Sequence, residues 1–129
     1  MVTNNDSALY LIKAEENLRA AESELANGRY NSCANRCYYA CFQAAVAAIL
    51  EAGIAPATQW SHGFVQAHFI GQLINRRKRY GPEFRTYLSD NQWLREKADY
   101  QLDPVTQVQE SRALGRSRAF VHAIIGKKV

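Results

Sequence analysis

The sequence predicts an all-α fold, a four-to-five-helix and mostly up-and-down bundle. Three observations carry that prediction. Apolar residues recur at three- and four-residue spacing along nearly the whole chain, the repeat of a helix buried on one face. No stretch alternates polar and apolar residues as a half-buried strand does. The breaks between periodic segments fall at turn residues: Asn27-Gly28, Gly53 to Pro56, Gly81-Pro82 and Asp103-Pro104. With 129 residues, 47% hydrophobic and 22% charged, the chain is one domain, 1–129, with an ordered core over about 7–125. A chain of this length buries roughly two-thirds of its unfolded surface, enough for one core and too little for two.

Leu11, Ala14, Leu18, Ala21 and Leu25 lie on one face of a first helix. Asp6 or Ser7 is the expected cap, and Asn27-Gly28 supplies the left-handed residue that ends it. A second helix runs from about Tyr30 to Ala52. One seam holds Ala34, Cys37, Cys41, Ala44 and Ala48, and a second holds Tyr38, Phe42, Ala45 and Ile49. An apolar arc that wide predicts the centre of the bundle. A third helix is expected over Ser61 to Asn75, with Phe64, Ala67, Phe69 and Leu73 buried. Pro82 suits the first turn of a fourth, reaching about Tyr100. Asp103-Pro104 predicts the cap and first turn of a fifth, ending near Ile125, with Val105, Val108, Ala113, Phe120 and Ile124 facing inward.

A membrane span is excluded, because the most apolar run, Ala44 to Leu50, stops at Glu51, far short of the ~20 residues a bilayer needs. Met1 to Ser7 is polar and carries no basic-then-apolar signal, which predicts a cytoplasmic protein. The net charge of +4 hides an asymmetry. Residues 1–64 carry 4 Lys/Arg against 6 Asp/Glu, and residues 65–129 carry 12 against 6. The densest cluster is Arg76-Arg77-Lys78-Arg79, a patch suited to a phosphate-bearing partner or to the solvated end of a helix.

Cys33, Cys37 and Cys41 stack on one face of the second helix. All belong to one element and form no CxxC knuckle, so they read as small buried hydrophobes. His62 and His68 are six apart, an awkward spacing for shared ligation, and no HExxH string occurs. No metal and no cofactor are expected. P-loop, dinucleotide-fold and serine-hydrolase strings are also missing.

What remains is arginine beside aromatics and acids. Arg36 lies within Asn35-Arg36-Cys37-Tyr38-Tyr39-Ala40, on the most apolar helix. Arg95 and Asp99 are four apart, with Tyr100 adjacent. A desolvated arginine needs a carboxylate, carbonyl or phosphate partner. An internal Arg36–Asp99 or Arg95–Asp99 pair satisfies that need. So does a cleft in which Arg36 and Arg95 hold a phosphate while Tyr39 or Tyr100 supplies a hydroxyl or a stacking face. The last helix adds Arg116 and His122, an arginine to stabilise phosphate charge and a histidine to move a proton. They sit about 240° apart around a regular helix, so they converge only across a dimer seam or a distortion. Arg118 and His122, four apart, face the same way.

Read together, Gly28-Arg29-Tyr30, the Ala34-to-Ala45 segment, Ser61-His62-Gly63, Arg95-Glu96-Lys97-Ala98-Asp99-Tyr100 and Ala119-Phe120-Val121 resemble the HEPN (higher eukaryotes and prokaryotes nucleotide-binding) domains. The likeness is to the small stand-alone prokaryotic branch with an Arg-x-x-Ala-Asp-Tyr signature, and it runs from about Ser7 to Ile125. It implies a four-to-five-helix bundle that pairs into a homodimer and binds nucleotide or RNA. It also implies a minimal nucleotidyltransferase as partner, in a toxin–antitoxin-like or nucleotide-handling pair. RNase-active members carry an Arg-x4-6-His motif on the helix that here holds Arg95, yet Arg95 to Gln101 contains no histidine. Binding through Arg36, Tyr39, Arg95, Asp99, Tyr100 and the 76–79 patch is therefore the leading reading. A metal-independent endoribonuclease toxin using Arg116 and His122 is the alternative, and a purely structural helical module is the second.

Overall fold

The computed structural model describes residues 4–128. Five α-helices form the bundle: α1 (Asn4–Ala26), α2 (Tyr30–Glu51), α3 (His62–His68), α4 (Tyr87–Tyr100) and α5 (Gln107–Lys128). A π-helical segment, Phe69–Arg76, continues α3, and a 3₁₀ turn, Pro82–Thr86, leads into α4. The described residues contain no strand. α2 is the central element, packed against α1, α3, α4 and α5, and its residues from Ala44 to Leu50 are all buried. The wide apolar arc read in the sequence is the physical cause, since each neighbouring helix needs its own strip of apolar surface.

Helix ends follow local chemistry. Gly28 and Gly53 adopt φ of +75° and +81°, and the next amides, Arg29 and Ile54, reach back to the carbonyls of Glu24 and Ile49. This is the Schellman closure that favours glycine. Ser61 caps α3, its hydroxyl accepting from the Phe64 amide at 3.1 Å.

Four expectations change. Ser7 is not a cap: α1 begins earlier, and the buried Ser7 hydroxyl donates to the Ala47 carbonyl at 3.0 Å. The third helix is not uniform. Ideal α spacing would spread Phe69, Leu73 and Ile74 over about 140°, and the wider π turn gathers all three into the core. The fourth helix opens as a 3₁₀ turn after Pro82. The fifth starts at Gln107, not at Asp103. Thr106 and Gln109 form a reciprocal capping box, at 3.1 Å and 3.0 Å, which outcompetes the Asp-Pro signal. Val108 and Ala67, expected to face inward, are exposed. The polar N-terminus read for targeting begins with residues 1–3, outside the described residues.

Polar groups also tie the core together. Asn91 of α4 donates to the Ser117 hydroxyl at 2.9 Å and accepts from Arg116 Nε at 2.9 Å. Ser117 in turn donates to the Cys37 carbonyl at 3.0 Å. These bonds link α2, α4 and α5 and satisfy groups whose orphaning would cost about 1–3 kcal/mol each. Cys41 borders this network, and burial pushes its thiol up to about 12. Glu110 is the exception in the core. It is fully buried, burial pushes its carboxyl up to about 7, and neither oxygen makes a hydrogen bond of conventional geometry.

Candidate functional site

The N-terminal half of α2, the end of α4 and the first turn of α3 bring together Asn35, Arg36, Tyr38, Tyr39, His62, Arg95 and Asp99. Arg95 is the hub. Its Nη1 donates to Asp99 Oδ2 at 3.2 Å, one helical turn away. Its guanidinium lies over the Tyr38 and Tyr39 rings, 5.2 Å and 5.8 Å from their centroids. The side chain is 13% exposed, and its Nε has no hydrogen-bond partner. A single 3.2 Å contact to a partly exposed carboxylate is a weak pair, so Asp99 orients Arg95 without saturating it. Asp99 is held from the other side by Asn35 Nδ2, 3.2 Å from each carboxylate oxygen.

Arg36 sits beside them. Its two terminal nitrogens donate to Asn17 Oδ1 at 2.9 Å and Asn35 Oδ1 at 3.1 Å, and its guanidinium is 6.0 Å from the Tyr39 centroid. Ion pairs among the described residues include Arg29–Glu24, Arg95–Asp99 and Arg118–Glu22. Arg36 belongs to none of them. Of the two internal pairs considered from sequence, Arg95–Asp99 forms and Arg36–Asp99 does not. Neutral amides position Arg36 and leave its charge in place.

His62 completes the cluster. Its Nδ1 is hydrogen-bonded to the Tyr38 hydroxyl, and its ring packs 5.2 Å from Tyr38 and 5.3 Å from Phe42. Burial, with help from the Arg95 charge, lowers the His62 pKa below its ordinary 6.5. Burial raises the Tyr38 pKa, opposed by Arg95. The site therefore holds a neutral imidazole and a neutral phenol beside two permanent cations.

The remaining sequence candidates lie apart. Tyr100 is 77% exposed and makes no ring contact with either arginine. Arg76, Arg77 and Lys78 are exposed at the end of the π segment, where Arg77 donates to the Ala52 carbonyl at 3.1 Å. Lys78, Arg79, Arg85 and Lys127 line a cavity of about 780 Å³ there, which shares no residue with the Arg95 cluster. Arg116 is tied to Asn91 and His122 is exposed. α5 is continuous through both, so one chain does not bring them together. Sequence reading missed Asn17, Asn35, Tyr38 and His62 as site residues. In the sequence His62 stands out only through its poor spacing from His68 and its place in Ser61-His62-Gly63, and the Ser61 cap fixes where its ring emerges.

Two cations over aromatic faces and an adjacent imidazole suit recognition of a phosphate ester. No helix is long and apolar enough to cross a membrane. No curated protein is similar enough to the chain to stand as a relative. The HEPN domain family matches residues 7–128, nearly the whole chain and the whole of the bundle that builds the cluster. The chain belongs to the HEPN domain family, which supports a nucleotide- or RNA-related function.

Proposed function

We propose that this HEPN domain binds the phosphate of a nucleotide or an RNA at the Arg36–Arg95 cluster. It would do so in the cytoplasm, as a homodimer, beside a minimal nucleotidyltransferase in a toxin–antitoxin-like or nucleotide-handling pair. The observation that carries the reading is the state of the two arginines. Arg95 is stacked on Tyr38 and Tyr39 with its Nε unpartnered, and Arg36 has amide partners only. A phosphate supplies the negative charge that Arg36 lacks and competes for Arg95 with a weak carboxylate pair. Tyr39, half-buried between them, offers a face for a base. The 76–79 segment and its cavity add a diffuse attraction for polyanions. Exposed Trp93, Tyr100, Leu102 and Val108 supply apolar surface for pairing. Three free, buried cysteines accord with a reducing compartment.

Isothermal titration of the full chain with ATP, other nucleotides and short RNA at stated salt tests the proposal. The expected result is binding that weakens as salt rises and is lost in Arg95→Ala. No binding at near-physiological salt overturns it.

A metal-independent endoribonuclease is the second reading, and one observation favours it. His62 is held neutral within the same cluster as Arg95, a better-placed pair than Arg116 and His122 within one chain. RNA cleavage in EDTA that disappears in His62→Ala and Arg95→Ala supports it. Cleavage unaffected by either removes it.

A further inference from the structure

A second cluster of reactive side chains lies on the other face of α2, inside the core. Cys33 and Cys37, one turn apart, and Glu110, from the first turn of α5, are all 0% exposed. Their two sulfurs and a carboxylate oxygen fall within 4.8 Å of one another. The sulfurs are 3.9 Å apart. Two thiolates on one zinc ion, each at about 2.3 Å with a tetrahedral angle between them, stand about 3.8 Å apart.

The carboxylate points to a ligand independently. Both Glu110 oxygens are buried, and the polar group that reaches them is the Cys33 thiol, a weak donor. A buried acidic group left so is costly, and native proteins resolve it with a partner, a proton or a metal ion. Hydrophobic packing explains buried cysteines. It does not explain a glutamate aimed at two of them.

We propose that Cys33, Cys37 and Glu110 form a binding site for a soft divalent cation, zinc, that ties α2 to α5. Thiolates select zinc over magnesium and calcium, and the two glutamate oxygens supply the remaining one or two positions around the ion. Binding replaces two S–H bonds by two Zn–S bonds and releases both thiol protons, together with any proton on the Glu110 carboxyl, to solvent. The filled site carries one net negative charge, and Arg116, which acts electrostatically on Glu110, offsets it. The site is distinct from the arginine cluster, so it stands or falls separately from the phosphate reading.

The test uses the full, tag-free chain. Elemental analysis of protein from zinc-supplemented culture is expected to find one zinc per chain. Cobalt(II) titration of metal-stripped protein is expected to give a thiolate-to-cobalt charge-transfer band, and added zinc to raise the melting temperature. Cys33→Ala/Cys37→Ala should abolish metal and band. Glu110→Gln, nearly isosteric, should weaken cobalt binding by more than about tenfold, the loss that even outer-shell partners can produce. Wild type without zinc and without the band overturns the proposal, as does undiminished zinc in the double cysteine variant. If that variant fails to fold, unchanged cobalt affinity and spectrum in Glu110→Gln overturns the three-residue site.

Discussion

Two cationic regions of this bundle differ in how their charges are held. The 76–79 segment is the denser, with four cations in a row, yet Arg76, Arg77 and Lys78 reach into solvent. The Arg36–Arg95 cluster has half as many cations. There, Asn17, Asn35 and Asp99 fix the guanidinium groups and two tyrosine rings back them. A mobile exposed cation attracts any anion and loses side-chain entropy when it binds. A held, part-buried one has already lost that freedom and meets its ligand in a lower dielectric. Charge density and charge organisation thus mark different surfaces, and the organised one is the better candidate for a specific site.

The largest test of that contrast is Arg95→Ala. Charge-assisted hydrogen bonds are worth about 1.5–3 kcal/mol, so nucleotide or RNA affinity is expected to fall roughly tenfold to a hundredfold. Stability should fall by only about 1–2 kcal/mol, from the lost tyrosine stacking and the weak Asp99 pair. A collapse of stability with unchanged affinity would make Arg95 a structural residue.

Asn91→Ala gives the converse. It removes a buried donor to Ser117 and the acceptor for Arg116, so it should cost about 1–3 kcal/mol in denaturant unfolding and leave binding intact.

A pH effect of intermediate size separates the two regions again. His62 is held neutral below its ordinary 6.5 by burial and by Arg95, so the unfolded chain takes up the proton first as pH falls. The stability this gives is present above about pH 6.5 and is lost as pH drops through the lower folded value. Thermal unfolding from about pH 7.5 to about pH 5 should show a steeper loss in wild type than in His62→Gln. A bound phosphate favours protonated His62, so affinity at the cluster should rise with acid in wild type alone.

Neutralising Arg76 and Arg77 together should lower affinity only a few-fold and flatten the salt dependence by about one unit per lost phosphate contact. The smallest expected effect is His122→Ala, whose affinity and stability should match wild type. A large loss there would return the site to α5.

Regular structure was legible along the chain because helical burial repeats at short range. Leu11 to Ala21, the two seams of α2 and the glycine-closed ends of α1 and α2 all follow from neighbours within one or two turns. The misread elements were those where tertiary burial or a competing cap decides, as with Phe69, Leu73 and Ile74, or with Thr106–Gln109 over Asp103-Pro104. The cluster was half legible. Arg36, Tyr39, Arg95 and Asp99 stood out as charge beside aromatics. Asn17, Asn35 and His62 meet them only through packing, and no spacing rule links Asn17 to Arg36 or Tyr38 to His62. Glu110 is hidden for the same reason, since its sulfur neighbours come from another helix.

The π segment carries a consequence for the basic end of the molecule. A π turn inside a helix amounts to one residue more than α geometry needs. Removing a single residue, such as Gly71, would let Phe69–Arg76 close into ordinary α turns. Arg76 and Arg77 would then keep nearly the same heading around the helix axis relative to α3, because the wider π turns already absorb the extra residue. The direction in which this end presents its charge is held by the local winding, which lets a helix with one extra residue aim its arginines as the shorter helix would.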